Sequence, residues 1–371
     1  MAQTFRRTLK RHHKKLKYNT KTKIHFPTLY IGKCIGQGKH IMKKLLLGLA
    51  LGLSFAPVVV QAKTELLVYT AVETELMPLY KNAFEKAHPD IGITWVRDST
   101  GIITARLLAE KDAPKADVVF GLNVTSILVL DGNGLLDSYT PKGAESLPDF
   151  MRDKRENPTW AGMSGCPAAI CVNKNELAKL KLPMPETWED LTAPAYREHI
   201  VMSNPVSSGA AYSITSSWLQ AWGEEKGWDY MTRLDANIDM YTQSGSRPAE
   251  MAARGETVIG ISEAAFARTL VKRGAPLDVV ILGNPMPLDL EASAIVKGTK
   301  NLDAARKLLD FSISSDMAKI VGARSCITAS PDATESEASR ISDMAGQYDF
   351  SQAAEKRQET IEAWRARFDG R

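Results

Sequence analysis

Histidine is scarce where chemistry would need it. Of six in the chain, His12, His13, His25 and His40 precede Met42, which leaves only His88 and His199 in the body of the sequence. His88 closes a predicted helix in Phe84-Glu-Lys-Ala-His-Pro89, and His199 stands at the lip of a predicted strand, so both read as structural. A nucleophile–base hydrolase or a His-rich metal centre is poorly supplied. Gly-x-Ser-x-Gly, a phosphate loop ending in Gly-Lys-Ser/Thr, and Cys-x-x-Cys are all missing. The expectation is a protein that is not an enzyme and takes no cofactor and no metal. No run of about 18 apolar residues marks a membrane span, and a hydrophobic content of 44% excludes a disordered chain.

Acid is missing from residues 1–62, which hold 13 Lys and Arg. The whole-chain charge of +4 therefore misleads: residues 63–371 carry 34 basic and 43 acidic groups, a net of −9. An acidic body gives no reason to expect a nucleic-acid partner. From Met42 the chain reads Met-Lys-Lys, an apolar run from Leu45 to Phe55, then Pro57-Val-Val-Val-Gln-Ala62. That is a charged start, a short hydrophobic region and a small-residue cleavage pattern, so residues 42–62 read as a secretory signal peptide cleaved after Ala62. Residues 1–41 read as an upstream-start artefact, with a disordered basic tail as the alternative. With no lipobox Cys after the apolar run, the product is expected free in the periplasm.

Export into an oxidising compartment changes how cysteine is read. Cys166, Cys171 and Cys326 remain, an odd number that permits one internal disulfide. An extended Cys166–Cys171 stretch puts its ends about 16 Å apart, beyond bridging range. Either Cys166 pairs with Cys326, or all three are unpaired core residues.

Periodicity alternates strands with helices along the rest. Leu66–Thr70, Ile91–Val96 and Ala116–Phe120 read as strands, with helices near 73–87 and 102–111. Ala168–Asn173 leads to a second set: strands Ile200–Met202 and Val258–Ser262, helices 210–222 and 248–253. A strand 292–297, a helix 303–313 and a charged helix from Tyr348 follow. This is the α/β rhythm of mostly parallel sheets, and about 300 residues exceed what one core organises.

Three places combine hydroxyls and glycine with a helix start: Ser99-Thr100-Gly101, Ser207-Ser208-Gly209-Ala210 and Ser244-Gly245-Ser246. Each offers side-chain hydroxyls and free N–H groups at the positive end of a helix dipole. One alone is an ordinary N-cap. Three together, at about 1.5–3 kcal/mol per charge-assisted bond, support micromolar anion binding of about −8 kcal/mol after ordering costs. Arg247 adds a nearby cation. Opposite in chemistry are Glu73, Glu263, Asp289 and Glu291, each at a strand end or start, where open α/β sheets place ligands. Oxyanion donors with opposing carboxylates suit a small zwitterion. Tyr69 and Trp160 are candidate wall residues, while Trp95 reads as core.

The chain resembles the periplasmic solute-binding proteins of ABC transporters in the iron/spermidine/phosphonate-type group, and within it the 2-aminoethylphosphonate-binding proteins. The resemblance spans about Leu66 to Lys300. It rests on Val68-Tyr-Thr-Ala-Val-Glu73, Trp95-Val-Arg-Asp-Ser-Thr-Gly-Ile-Ile-Thr-Ala-Arg-Leu-Leu-Ala-Glu110, Ala116-Asp-Val-Val119, Thr187-Trp-Glu-Asp-Leu191, Ile200-Val-Met-Ser-Asn-Pro-Val-Ser-Ser-Gly209, Tyr241-Thr-Gln-Ser-Gly-Ser246 and Gly255-Glu-Thr-Val-Ile-Gly-Ile-Ser262. It implies a two-lobed α/β periplasmic binding protein (type II), with a mixed, mostly parallel sheet in each lobe and a ligand cleft between them. Lobe one is expected over 63–165 and 263–315, lobe two over 166–262 and 316–371. The phosphonate is expected on Ser99, Thr100 and Gly101 from one lobe and on Ser207, Ser208, Gly209, Ser244 and Ser246 from the other. The amine is expected to face Glu73, Asp289 or Glu291, with Tyr69 as a wall. Ala210 departs from the Thr common in relatives, and Pro287-Leu288 from Gly-Trp.

The implied function is capture of 2-aminoethylphosphonate, or a close aminophosphonate, by a monomer that hands it to inner-membrane permease subunits. Ferric iron and polyamines are the alternatives on the same fold. Iron-binding relatives use adjacent tyrosines, and no Tyr-Tyr pair occurs; polyamine binding leaves the three anion-ready helix starts unexplained.

Overall fold

A computed structural model describes residues 63–322, 326–328 and 348–369. The basic leader, the signal peptide and its cleavage point lie outside the described residues. Eleven strands are β1 (Thr64–Thr70), β2 (Ile91–Arg97), β3 (Val118–Asn123), β4 (Leu136–Asp137), β5 (Trp160–Asn173), β6 (Ile200–Ser203), β7 (Ile238–Thr242), β8 (Ile259–Glu263), β9 (Leu277–Val280), β10 (Leu288–Val296) and β11 (Ile327–Thr328).

Each lobe is built on a parallel trio. In the first, β1 lies between β2 and β3, and in the second β6 lies between β7 and β8. The trios arise from short, nearly continuous apolar runs such as Leu66–Tyr69 and Ile259–Ile261, the pattern of strands covered on both faces. Helices supply the cover. One face of the first sheet packs Leu66, Val68 and Phe120 with Phe84, Leu308 and Leu309; the other packs Tyr69, Val119 and Leu122 with Ile103, Ile127 and Leu130. In the second lobe Ile170, Ile200, Ile259 and Ile261 pack on Trp188, Trp218 and Tyr230.

The antiparallel partners make the sheets more mixed than expected. β5 is 14 residues long and buried throughout. Its first half pairs with β10 and its second half with β8 and β9, so this one strand crosses from lobe to lobe. Chain order then returns through β9 to β10, which runs antiparallel beside β3.

The C-terminal part departs from the expected division at 316. Met317 and Val321, in the helix Ser315–Gly322, pack with Leu66 and Val68 on the first lobe. Trp364 and Phe368, in the helix Arg357–Phe368, pack with the second. Cys166 on β5 is bonded to Cys326, with Cα atoms 4.8 Å apart across a sequence separation of 160. Cys171 is a buried free thiol, its pKa pushed up to about 12 by burial and then by Glu263. His88 caps the helix Met77–Ala87, its N–H donating to Phe84, and the His199 carbonyl accepts from Ile259 and Thr257.

Candidate functional site

The C-terminal ends of all six parallel strands converge on one small cavity, where such sheets leave their helix starts and loops unpaired. β2 ends at Arg97, whose Nε donates to the Val72 carbonyl at 3.2 Å and so turns the guanidinium across the end of β1. Two residues on, Ser99 takes an extended backbone (φ −66°, ψ 150°) as N-cap of the helix Thr100–Ala109, yet its side chain makes no capping bond. Ser99 and Thr100 are both buried.

From the second lobe, Ser208 caps the helix Gly209–Trp222, its Oγ accepting from the Ala211 N–H at 3.2 Å. The first-turn N–H groups of Gly209 and Ala210 are among those a helix cannot satisfy internally, and both residues face the cavity. Gly209 is required by crowding: a Cβ there would lie 2.6 Å from the Asn123 Cβ and 2.9 Å from the Thr100 Oγ1. The loop after β7 is pinned by Thr242 Oγ1 donating to the Ser244 carbonyl (3.0 Å) and Ser262 Oγ donating to the Gly245 carbonyl (2.7 Å). It presents Ser244 and Ser246, whose hydroxyls lie 3.0 Å apart.

The four carboxylates come from three places. Glu73 follows β1 and Glu263 ends β8. Asp289 and Glu291 sit two apart on β10 and so share a face, while Leu288 and Leu290 alternate into the core. Glu291 accepts from Ser164 Oγ at 2.5 Å, and Asp289 from Asn123 Nδ2 at 2.6 Å. Enclosure by protein pushes the Asp289 carboxyl up to about 6; the Asn123 bond opposes this and the Glu73 charge adds to it.

Glu73, Ser99, Thr100, Ser208, Gly209, Ser244, Ser246, Asp289 and Glu291 thus line a single cavity of about 50 Å³, along with Glu263. Gly101, Ser207, Tyr69 and Trp160 do not. The Gly101 N–H donates to the Ser207 carbonyl at 2.8 Å, directly across the cleft, and Ser207 Oγ donates to the Gln243 carbonyl at 2.8 Å. Both belong to the seam that closes the lobes rather than to the wall. Tyr69 is fully buried, its hydroxyl donating to Glu110 at 3.0 Å and its ring under Arg106. Trp160 also lies in the core. Arg247 pairs with Glu250 and Glu256; the cation that reaches the cavity is Arg97. Asn123 is the other polar wall residue that the sequence reading does not single out.

Comparison with known proteins identifies the family and the fold. Residues 113–350 match the family described as bacterial extracellular solute-binding protein. An uncharacterized protein of Haemophilus influenzae is 29% identical over 262 residues, 69% of this chain and 74% of that one. A probable ABC transporter periplasmic-binding protein of Sinorhizobium fredii, y4fP, is 29% identical over 228 residues, 58% of this chain and 61% of its own length. Among solved structures, the periplasmic binding protein AfuA of Actinobacillus pleuropneumoniae, with exogenous fructose-6-phosphate bound, superposes with a TM-score of 0.76 at 28% identity, over 84% of this chain and all of that one. Among the described residues, no helix is long and apolar enough to cross a membrane.

Proposed function

This chain belongs to the bacterial extracellular solute-binding proteins, and from the residues that line its cavity we propose that its ligand is a small zwitterionic phosphonate, 2-aminoethylphosphonate or a close analogue. The coarser statement needs no proposal: it is the periplasmic solute-binding component of an ABC transporter. In our reading it carries out no reaction on the ligand and delivers it to inner-membrane permease subunits.

The observation that carries the ligand assignment is the composition of the cavity wall. Arg97, the hydroxyls of Ser99, Thr100, Ser208, Ser244 and Ser246, and the amides of Gly209 and Ala210 face the same space as Glu73, Asp289 and Glu291. The first set suits an oxyanion, since charge-assisted bonds to a guanidinium and to oriented N–H groups are the strong ones. The second set suits an ammonium group. A phosphonate bearing two carbons and an amine has seven non-hydrogen atoms. Seven atoms at a ceiling of about −1.5 kcal/mol each permit about −10 kcal/mol, ample for a scavenging receptor.

The ferric alternative is less well provided for. Among the described residues, the group whose potential ligand atoms lie within 4.8 Å of one another is Cys166, Glu263 and Cys326, and the disulfide occupies both sulfurs. A calorimetric panel of 2-aminoethylphosphonate, methylphosphonate, phosphate, fructose 6-phosphate, putrescine and ferric citrate tests the reading. The expected result is tightest binding of 2-aminoethylphosphonate, with methylphosphonate weaker. Tighter binding of the hexose phosphate, the diamine or iron overturns it.

A further inference from the structure

We propose that Asn123 is a positioning residue that couples the carboxylate end of the cavity to closure of the cleft. The inference rests on the reading of this cavity as the ligand site, and its own observation is a saturated side chain shared between lobes. Asn123 is the last residue of β3, 3% exposed, and caps the helix Val124–Gly132. Its Oδ1 accepts from the Thr125 N–H at 3.0 Å and from Thr125 Oγ1 at 2.5 Å. That fixes which end of the amide points where. Nδ2 then donates one hydrogen to Asp289 at 2.6 Å and the other to Ser213 Oγ at 2.9 Å. An asparagine amide has two donor hydrogens and two acceptor lone pairs, and all four are used.

The two donor bonds lead to different lobes. Asp289 is on β10, in the first sheet beside β3 and β5. Ser213 is on the helix Gly209–Trp222, whose Ala211, Ile214 and Trp218 are embedded in the second core. The bond to Ser213 therefore exists only when the lobes are together, and the helix start comes close enough because residue 209 has no Cβ. An ammonium group bound beside Asp289 holds that carboxylate against Nδ2. Because Oδ1 is fixed by Thr125, an amide held by Asp289 at one N–H has its other N–H aimed at Ser213. Occupation of the amine subsite is thus transmitted to the contact that holds the cleft shut.

Two variants of the secreted protein separate this role from simple support. Asn123→Ser retains a hydroxyl that caps the helix but removes both N–H donors; Ser213→Ala removes only the acceptor across the cleft. The radius of gyration by X-ray scattering and the affinities for 2-aminoethylphosphonate and methylphosphonate are measured for each. Both variants are expected to enlarge the ligand-free protein. Asn123→Ser is expected to weaken the aminophosphonate roughly 30-fold or more and methylphosphonate no more than about threefold, while Ser213→Ala weakens both by the same factor. Equal losses for both ligands in Asn123→Ser, or unchanged dimensions in both variants, overturn the proposal. If the wild type binds neither ligand while the variants still open, the functional reading fails and the interlobe contact stands.

Discussion

Lowering the pH from 8 to 5 should weaken 2-aminoethylphosphonate binding about elevenfold through Asp289 alone. Its carboxyl is pushed up to about 6 by enclosure at the cavity wall, with Glu73 adding to the shift and a single bond from Asn123 opposing it. The charged and titratable groups that share its surroundings are Glu73, Arg97, Glu263 and Glu291 around the cavity and Tyr348 behind it. A ligand ammonium binds the ionised form, so the apparent dissociation constant is multiplied by one plus the ratio of proton concentration to the acid constant. That factor is roughly 11 at pH 5, 2 at pH 6 and 1.1 at pH 7. Binding near pH 5.5 should also release most of one proton, read by calorimetry in buffers of different ionisation enthalpy. The phosphonate ionises in the same range, so the decisive quantity is the difference between 2-aminoethylphosphonate and methylphosphonate, which share that group. Asp289→Asn should remove the difference. The stability of the ligand-free protein supplies an independent check on sign. A carboxyl with a folded pKa of about 6 against about 3.9 unfolded favours the fold at low pH, and that contribution is lost as pH rises from about 4 to 6. Asp289→Asn should therefore stabilise the ligand-free protein at pH 7.5 by up to about 3 kcal/mol, at 1.36 kcal/mol per unit. Identical pH profiles for the two ligands, or a destabilised Asp289→Asn protein at pH 7.5, would refute the assignment of this group to the amine.

Arg97→Ala should weaken both phosphonates about equally, by roughly 10- to 200-fold, since one charge-assisted contact contributes about 1.5–3 kcal/mol; selective loss of only the amine-bearing ligand in a titration would place Arg97 elsewhere. Gly209→Ala sets a Cβ 2.6 Å from that of Asn123, so scattering should show a cleft that no longer closes with ligand, and an unchanged closed dimension would show that the contact yields. Replacing both Cys166 and Cys326 with serine opens a loop of 160 residues, for which chain entropy gives a loss of about 5 kcal/mol at most. Denaturant melts should show a clear drop, while thiol reagents should leave the folded variant's buried Cys171 unmodified.

The chemistry of the site was more legible than its geometry. Hydroxyl–glycine pairs at helix starts are local signals, because the N-cap and the glycine act within one turn, and they point to Ser99, Ser208 and Ser244, which line the candidate cavity. What the amides at those starts bind is decided across the cleft. Gly101 and Ser207 carry the right chemistry, yet the N–H of one meets the carbonyl of the other. Asn123 was hidden for a different reason. The run Val118-Val-Phe-Gly-Leu-Asn-Val-Thr-Ser-Ile-Leu-Val-Leu130 is apolar through both strand and helix, so no change of period marks the junction at which Asn123 caps. Arg97 stood in plain view at a strand end, but its direction depends on the Val72 carbonyl of a neighbouring strand's loop. The first half of β5 was missed because Gly162, Gly165 and Pro167 have low strand propensity; pairing with β10 overrides it.

The overall charge sets one more constraint on this site. A chain beginning at Lys63 has a net charge of −9, and the proposed 2-aminoethylphosphonate carries a net −1 once its phosphonate is doubly ionised, so for that ligand the long-range field opposes the encounter. Treating the protein as a sphere of about 25 Å radius, as expected for this length, the repulsion of one negative charge at the surface is about 0.8 kcal/mol at 0.01 M salt and about 0.4 kcal/mol at 0.15 M. Association should therefore accelerate about twofold over that range. This is opposite to the usual steering of an anion into a basic cleft, which weakens with salt. Stopped-flow association rates at several ionic strengths decide the matter. A rate that falls with salt would mean that Arg97 and the helix starts dominate the approach as well as the bound state. A rate that rises would confine their influence to within roughly a Debye length of the cavity, with capture resting on oriented donors met only at contact.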